Sequence, residues 1–195
     1  MSDNETTENG SNGQPRDDLP LQDLSGADQS VDEQDFAALL REGTALLRSG
    51  KVNDAVDLLG RAYALQPDNV DAALNLSGAL ILAKKFRRAV EVLEPLRDLA
   101  PNNPMIWVNL GAAYLGNPVL AMDKHQRQAI SAFERALELD PRAPSVAYNI
   151  GLIYRDRNEP REAEAWFRQA LETNPQDMDA LTLLGKMIAA QEEEE

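Results

Sequence analysis

Few side chains in this sequence could perform catalysis or bind a metal ion. The 195 residues include one histidine, His125, and no cysteine. Thiol chemistry, cysteine-ligated metals and disulfide bonds are therefore excluded, and a Ser–His–acid triad would have to be built around His125. No glycine-rich phosphate loop, paired-histidine motif or nucleophile elbow is present. We therefore predict no catalytic residue, no metal site and no cofactor, and a protein that is not an enzyme.

The acidic residues are concentrated at the two ends of the chain. The formal net charge is −14, of which residues 1–34 carry −8 and residues 192–195 carry −4. Residues 1–34 are polar and lack aromatic side chains, which predicts a disordered acidic N-terminal tail; residues 191–195 are predicted to be an acidic C-terminal tail. The N-terminus is unlike a signal peptide. No apolar run approaches the ~20 residues that cross a bilayer, so we predict a cytoplasmic protein without a transmembrane segment.

A repeat organises the residues between the tails. Four alanines are separated by 34, 40 and 34 residues, and each is followed twelve residues later by a proline. The alanines are Ala55, Ala89, Ala129 and Ala163, and the prolines are Pro67, Pro101, Pro141 and Pro175. A small residue precedes each alanine: Gly43, Ser77 and Gly151 lie twelve positions before theirs, and Gly111 lies eighteen positions before Ala129 because the third unit is longer. Gly185 follows Gly151 by a further 34 residues. Small residues at such positions allow two helices to approach closely, and the proline ends the second helix.

This pattern resembles the tetratricopeptide repeat family, whose unit is a 34-residue helix–turn–helix. The resemblance implies an all-α, right-handed superhelical solenoid of four repeats at 36–69, 70–103, 104–143 and 144–177, followed by a capping helix at 178–190, within a domain of residues 35–190. Two departures are expected to alter it. Pro95 should kink or shorten the second helix of repeat two. Repeat three is six residues too long, which predicts a loop containing Val119, Leu120, Met122 and His125, and a capping box formed by Asp123 and Gln126.

The resemblance also implies a concave groove lined by the first helix of each repeat. Its sixth register position contains Arg41, Asn75, Asn109 and Asn149. An asparagine amide both donates and accepts hydrogen bonds, so it can pair with a peptide backbone, although asparagine is also common at this position in the family. An apolar strip accompanies these residues, which indicates an interaction site unless neighbouring helices cover it. Its members are Leu40, Leu74, Ile81, Val108, Tyr148 and Leu152.

One family function is predicted to be absent. The family clamp for the acidic C-terminal tails of heat-shock chaperones requires three cations and two asparagines at defined groove positions. The corresponding residues here are Leu40, Thr44, Asn75, Met105 and Asn109, of which only Asn75 fits. We therefore predict a protein or peptide partner that is not such a tail.

The turns between paired helices collect positive charge, and we call this set the basic rim. It contains Lys84, Lys85, Arg87, Arg88, Lys124, Arg127, Arg155, Arg157 and Arg161. Ordinary solvated surface charge explains it most simply, and screening by the acidic N-terminal tail is a further hypothesis. Nucleic acid binding is disfavoured because the sequence pI is about 4.5 and the tails repel phosphates.

We predict an adaptor, scaffold or assembly factor that binds an extended or helical segment. The alternatives are a binder of an anionic surface and a regulatory subunit of another enzyme, and the oligomeric state is left open.

Overall fold

The computed structural model describes residues 33–116 and 122–192, and the secondary structure of these residues is entirely helical. Residues 1–32 of the predicted N-terminal tail, residues 193–195 of the predicted C-terminal tail, Val119 and Leu120 lie outside the described residues. The helices are α1 Glu33–Arg48, α2 Val52–Leu65, α3 Val70–Leu82, α4 Phe86–Leu93, α5 Leu96–Leu99, α6 Pro104–Leu115, α7 Asp123–Leu139, α8 Val146–Asp156, α9 Pro160–Thr173 and α10 Met178–Glu192. The predicted domain limits of 35 and 190 stay a prediction; the described helices begin two residues earlier and end two residues later.

Successive helices pack as antiparallel pairs, and the pairs stack into a solenoid. The most extensive contacts join α1 with α2, α6 with α7, and α8 with α9, while α3 packs on α4. Each pair also contacts the next one, through α2 with α3, α4 with α6, and α7 with α8. The final helix, α10, packs on α9. The all-α solenoid predicted from the sequence is therefore confirmed.

The small residues of the repeat pattern lie at the contact within each pair. All four repeat alanines are completely buried. A Cβ atom at Gly43 would lie 2.7 Å from Cγ of Leu59, and one at Gly151 would lie 2.8 Å from Cδ1 of Phe167. Glycine is therefore required here by helix proximity. Ser77 takes this place in the second pair, where its buried hydroxyl donates to the carbonyl oxygen of Leu74 at 2.9 Å.

Three of the turns that join paired helices share one backbone conformation. Gly50, Lys84 and Asn158 follow α1, α3 and α8 with φ values of 76°, 59° and 58°. The amide that follows each of them reaches back to a carbonyl five residues earlier; the bond from Lys85 to Leu80 is 2.8 Å long. This is the left-handed C-terminal motif in which glycine is the favoured residue. Lysine at position 84 adopts it with a steric penalty that glycine avoids.

The start of each first helix depends on the residue two places after the repeat proline. Asn69 accepts a hydrogen bond from the Ala72 amide at 3.0 Å, and Asn103 accepts one from the Met105 amide at 3.0 Å. Ala143 occupies the same place before α8 and has no side-chain acceptor. α8 begins only at Val146, and its N-cap, Ser145, has a positive φ of 62° and no side-chain capping bond. The fourth pair therefore starts two residues later than predicted.

The two predicted departures from the repeat have different outcomes. The second helix of the second pair is interrupted around Pro95, between α4 and α5, as predicted. In the third pair, α7 begins early, at Asp123, but its N-cap is Met122 and no side chain caps it. The predicted capping box is therefore wrong, because Asp123 is already inside the helix and its carboxylate pairs with Arg127 at 2.6 Å. His125 was expected in a loop but lies in the first turn of α7 and is half-buried.

The last helix covers α9 with one face and leaves the other uncovered. Ala180 is its fully buried residue, and Gln191 donates to Glu164 of α9 at 2.7 Å. Hydrogen bonds from Arg168 and Gln191 lower the pKa of Glu164. A Cβ atom at Gly185 would meet no atom within 4 Å. The face that is closed in the earlier pairs is therefore open in α10, since no second helix follows it within the described residues.

Candidate peptide-binding face

The predicted groove residues lie on the first helices of four consecutive pairs. These helices are adjacent in the first part of the solenoid, where α1 contacts α3 and α3 contacts α6. Arg41 is exposed, and the other predicted residues are half-buried. They are Leu40, Leu74, Asn75, Ile81, Val108, Asn109, Tyr148, Asn149 and Leu152. The strip is thus intermediate between core and surface.

Partial cover by neighbouring helices explains this intermediate burial. Leu40, Leu74 and Ile81 pack against the buried core formed by α2, α3, α4 and α6. Val108 packs against the following core, which centres on Phe133 and Ile150. Each side chain therefore has one part in the core and another part accessible to a ligand. A ligand that covered the accessible part would gain about 25 cal/mol for each Å² of apolar surface removed from water.

Tyr148 packs against the second helix of its own pair. Its ring centroid lies 5.8 Å from that of Phe167 in α9, at an interplanar angle of 56°. Burial, followed by the nearby carboxylates of Asp179 and Asp177, raises the pKa of Tyr148. The phenol is therefore neutral at physiological pH. The part of the ring that packs on Phe167 is not available to a peptide, so Tyr148 offers less apolar surface than its register position suggested.

The three asparagines do not form a ladder of equivalent groups. The side-chain amide of Asn75 donates to the carbonyl oxygen of Asp71 at 2.8 Å, within its own helix. That of Asn109 donates to the hydroxyl of Ser77 at 3.2 Å, which joins α6 to α3. An asparagine has two N–H donors and a carbonyl acceptor. One donor of Asn75 and one of Asn109 are therefore used structurally, and the remaining donor and acceptor groups are those that a peptide backbone could meet.

Two exposed apolar residues near this face were not predicted as part of it. Met105 is 46% exposed and occupies the second position of α6, which the family places in the groove. Leu82 is 62% exposed and ends α3, directly after Ile81. Their register was readable from the sequence, but their exposure was not, because exposure depends on how far the adjacent first helix reaches. They extend the apolar strip by two side chains that are more exposed than its predicted apolar members.

Four of the nine cations of the basic rim, all of them arginines, have anionic partners close by. Arg87 lies 3.7 Å from Glu91, and Arg155 lies 2.5 Å from Asp156. Arg157 contacts Glu159 at 2.8 Å, and its guanidinium is also 3.6 Å from Asp123 of α7. Part of the predicted excess of positive charge is thus offset by local pairs. Such exposed pairs contribute little stability, but they reduce the field that a distant anionic surface would meet.

Arg88 was predicted to be a rim residue and is not a surface residue. Only 9% of its surface is exposed, and its Nε atom is buried without a hydrogen-bond partner. The exposed residues of the rim are Lys84, Arg87, Lys124, Arg127 and Arg161. Sequence register alone suggested exposure, because the same position in the first and fourth pairs contains the exposed acids Asp54 and Glu162.

The described residues contain no arrangement typical of metal binding or membrane insertion. Within 33–116 and 122–192, no group of three or more histidine, aspartate or glutamate side chains is placed to hold a metal ion. No helix of these two ranges is long and apolar enough to cross a bilayer.

Family models match both halves of the helical region. One tetratricopeptide repeat model matches residues 46–114, and a second tetratricopeptide repeat model matches residues 126–178 and 148–194. The chain therefore belongs to the tetratricopeptide repeat family, as the resemblance of its sequence indicated. This fold is a typical non-catalytic module, and its members act in protein–protein interaction.

Known proteins support the same assignment. A 75-residue stretch is 31% identical to anaphase-promoting complex subunit 3 of Dictyostelium discoideum; it covers 37% of this chain and 8% of that protein, so the match concerns a small part of that relative. TTC0263, a thermophilic tetratricopeptide repeat protein of Thermus thermophilus, superposes with a TM-score of 0.67 at 24% identity, covering 80% of this chain and 82% of that one. The first repeat domain of Spaghetti (RPAP3), bound to the HSP90 peptide SRMEEVD, has a TM-score of 0.57 at 24% identity, covering 67% and 99%. These two likenesses show the fold alone.

Proposed function

We propose that this chain is an adaptor or scaffold that binds an extended or helical segment with apolar side chains along α1, α3, α6 and α8. The observation that carries this proposal is the strip of partly exposed apolar residues on the first helices, of which α1 contacts α3 and α3 contacts α6. It continues to the exposed Met105 and Leu82. A contiguous apolar surface of this kind marks an interaction site. The remaining amide groups of Asn109 and Asn149 supply contacts to a peptide backbone.

The proposed ligand differs from an acidic chaperone tail. The neighbour that binds an HSP90 peptide shares the fold, but the cation positions of the clamp contain Leu40, Met105 and Asn109 in this chain, and Thr44 stands where the clamp has an asparagine. The hydroxyl of Thr44 is also occupied, since it donates to the carbonyl oxygen of Leu40 at 2.7 Å. We therefore propose that the groove recognises side chains by apolar contact and the backbone by asparagine. The absence of enzymatic activity and the cytoplasmic location stay predictions.

A peptide-display selection on the purified protein tests the groove. Enriched peptides are synthesised with a fluorescent label, and their dissociation constants are measured by anisotropy. The test variant is Met105→Ser with Asn149→Ala, which removes one exposed apolar side chain and one amide. We expect a loss of about 2 kcal/mol in binding free energy, or roughly 30-fold in affinity, from about 1 kcal/mol for each group.

The matched control is Leu99→Ser, since Leu99 is 52% exposed on α5, outside the first helices. It should bind the selected peptides as the wild type does. Circular dichroism verifies that both variants are folded. Equal affinity of the double variant and the wild type, or selected peptides without apolar residues, would contradict the groove model.

The relative in the anaphase-promoting complex favours one version of the scaffold role. That protein is by name a subunit of a multi-protein assembly. Service as a subunit of a larger complex is therefore a second candidate, and it includes the predicted role of regulating an enzyme encoded elsewhere. A general binder of anionic surfaces is less well supported, because most rim arginines already contact acids of the same chain.

A further inference from the structure

The last helix presents to solvent a contact face that earlier first helices bury. Gly185 continues the register of the glycines that lie against a second helix in the first, third and fourth pairs. There a large apolar side chain fills the space beside the glycine, as Phe167 does beside Gly151. A Cβ atom at Gly185 would meet no described atom within 4 Å, and Leu181, one turn earlier, is 42% exposed. The contact that closes those pairs is therefore available on α10.

The exposed residues of α10 form an uncharged stripe with charges along one edge. Five exposed residues without charge lie within about 100° of one another around the helix axis, since each residue advances the helix by about 100°. They are Met178, Leu181, Thr182, Gly185 and Ala189. Asp179 and Lys186 are also exposed, and at a spacing of seven residues they lie within about 20° of each other, at one edge of the stripe. Neither forms an ion pair with another described residue.

We propose that α10 pairs with α10 of a second copy of this chain, antiparallel and related by a two-fold axis level with position 183. A two-fold contact must be complementary to itself, and this stripe meets that condition in shape. Because Leu181 and Gly185 are equally far from position 183, Leu181 of each copy lies level with Gly185 of the other. A leucine then fills the open space beside each glycine, as Leu59 does beside Gly43 in the first pair.

Charge complementarity favours a second copy in this antiparallel arrangement. The two-fold axis brings the same edge of both helices together, and it sets Asp179 of each copy about 1.5 Å along the axis from the level of Lys186 of the other. Two ion pairs can therefore form across the contact. A parallel pair would instead place Lys186 beside Lys186 and Glu192 beside Glu192, and like charges repel.

The pairing is expected to be weak. α10 has 15 residues, and a contact made by one such helix from each copy is smaller than a standard protein interface. The dimer should therefore dissociate on dilution. The groove of the proposed function lies on other helices, so this proposal does not depend on it.

Sedimentation equilibrium of the full chain over micromolar to millimolar concentrations tests whether dimers form. Gly185→Gln places a long side chain in the open space and should lower the association constant about tenfold, because it overpacks the contact. Gly78→Gln on α3 is the matched control, since a Cβ atom there also meets nothing within 4 Å; it should associate as the wild type does. Circular dichroism verifies that both variants are folded. A wild type that stays monomeric throughout would overturn the proposal, and so would an equal effect of the two substitutions.

Single cysteines test the direction of the pair, because the chain has no cysteine of its own. The two copies of Thr182 are separated by about 3 Å along the axis, and the two copies of Ala189 by about 18 Å. A disulfide requires Cα atoms closer than about 7 Å. Mild oxidation should therefore link Thr182→Cys into covalent dimers and leave Ala189→Cys unlinked, although both positions are exposed on α10. An equal or higher yield from Ala189→Cys would overturn the antiparallel pairing.

Discussion

The space around two glycines predicts opposite effects of the same substitution. Gly78 and Gly111 both lie within first helices, α3 and α6. A Cβ atom at Gly78 would meet nothing within 4 Å, whereas one at Gly111 would lie 2.4 Å from Cδ1 and Cε1 of Phe133. Real Cβ atoms do not approach other carbons so closely, so the helix pair must separate in Gly111→Ala.

The magnitudes follow from two terms. Replacing glycine by alanine inside a helix contributes about 1 kcal/mol to stability, and overpacking a well-packed contact costs about 1–3 kcal/mol. Gly78→Ala should therefore stabilise the protein by about 1 kcal/mol. Gly111→Ala should destabilise it by up to about 2 kcal/mol, since the clash at Phe133 is severe. The difference between the two variants isolates the clash, because the helix term is common to both.

Urea unfolding followed by circular dichroism measures both free energies, and equal slopes with urea concentration indicate a common transition. A third variant tests the cause. Gly111→Ala with Phe133→Leu recreates the combination of Ser77 and Leu93 in the second pair, both of which are buried. It should recover part of the loss as a positive coupling between the two sites. If Gly111→Ala were as stable as Gly78→Ala, the steric account of the contact would be refuted.

Two further predictions concern the turn after α3 and the contact of α6 with α4. Lys84→Gly should raise the melting temperature by about 1–4 °C. The substitution relieves about 1–2 kcal/mol of strain in the left-handed conformation, which exceeds the roughly 0.5–1 kcal/mol of conformational entropy that glycine loses on folding. An unchanged or lower melting temperature would contradict this prediction. Burial and the hydrogen bond to Glu94 raise the pKa of Tyr114 to about 12. A raised tyrosine pKa stabilises the fold below the ordinary value of about 10, and the contribution is lost as pH rises from there toward 12. The melting temperature of Tyr114→Phe should therefore fall less than that of the wild type above pH 10, and parallel curves would argue against this contact.

The sequence predicted the helix pairs well because each repeat specifies them locally. Alanine and glycine are fixed by the contact within a pair, and proline by the end of the second helix. The interruption at Pro95 was also predicted, because proline has no backbone N–H and disrupts the interior of any helix. The failed predictions concern helix starts, where Ala143 lacks a capping side chain and Asp123 lies one residue inside α7. A shift of one or two residues decides whether a side chain caps its helix or pairs with a neighbour.

The candidate site was predicted less completely than the fold. The positions of Leu40, Leu74 and Val108 on the first helices follow from the repeat register, which the sequence contains. Their partial burial does not, because it depends on how closely the next pair stacks. The same applies to the bond of Asn109 to Ser77, which are 32 residues apart, and to the packing of Tyr148 on Phe167.

The sequence by itself determined the family, the helical register and the residues available to each face, since these depend on spacing within one repeat and its neighbour. Only the tertiary structure decided which polar groups are free. It buried Arg88, paired four of the rim arginines with acids, and occupied one donor each on Asn75 and Asn109. Long side chains choose their partners through rotamers and the placement of adjacent helices. Their accessibility is therefore a property of the packed solenoid.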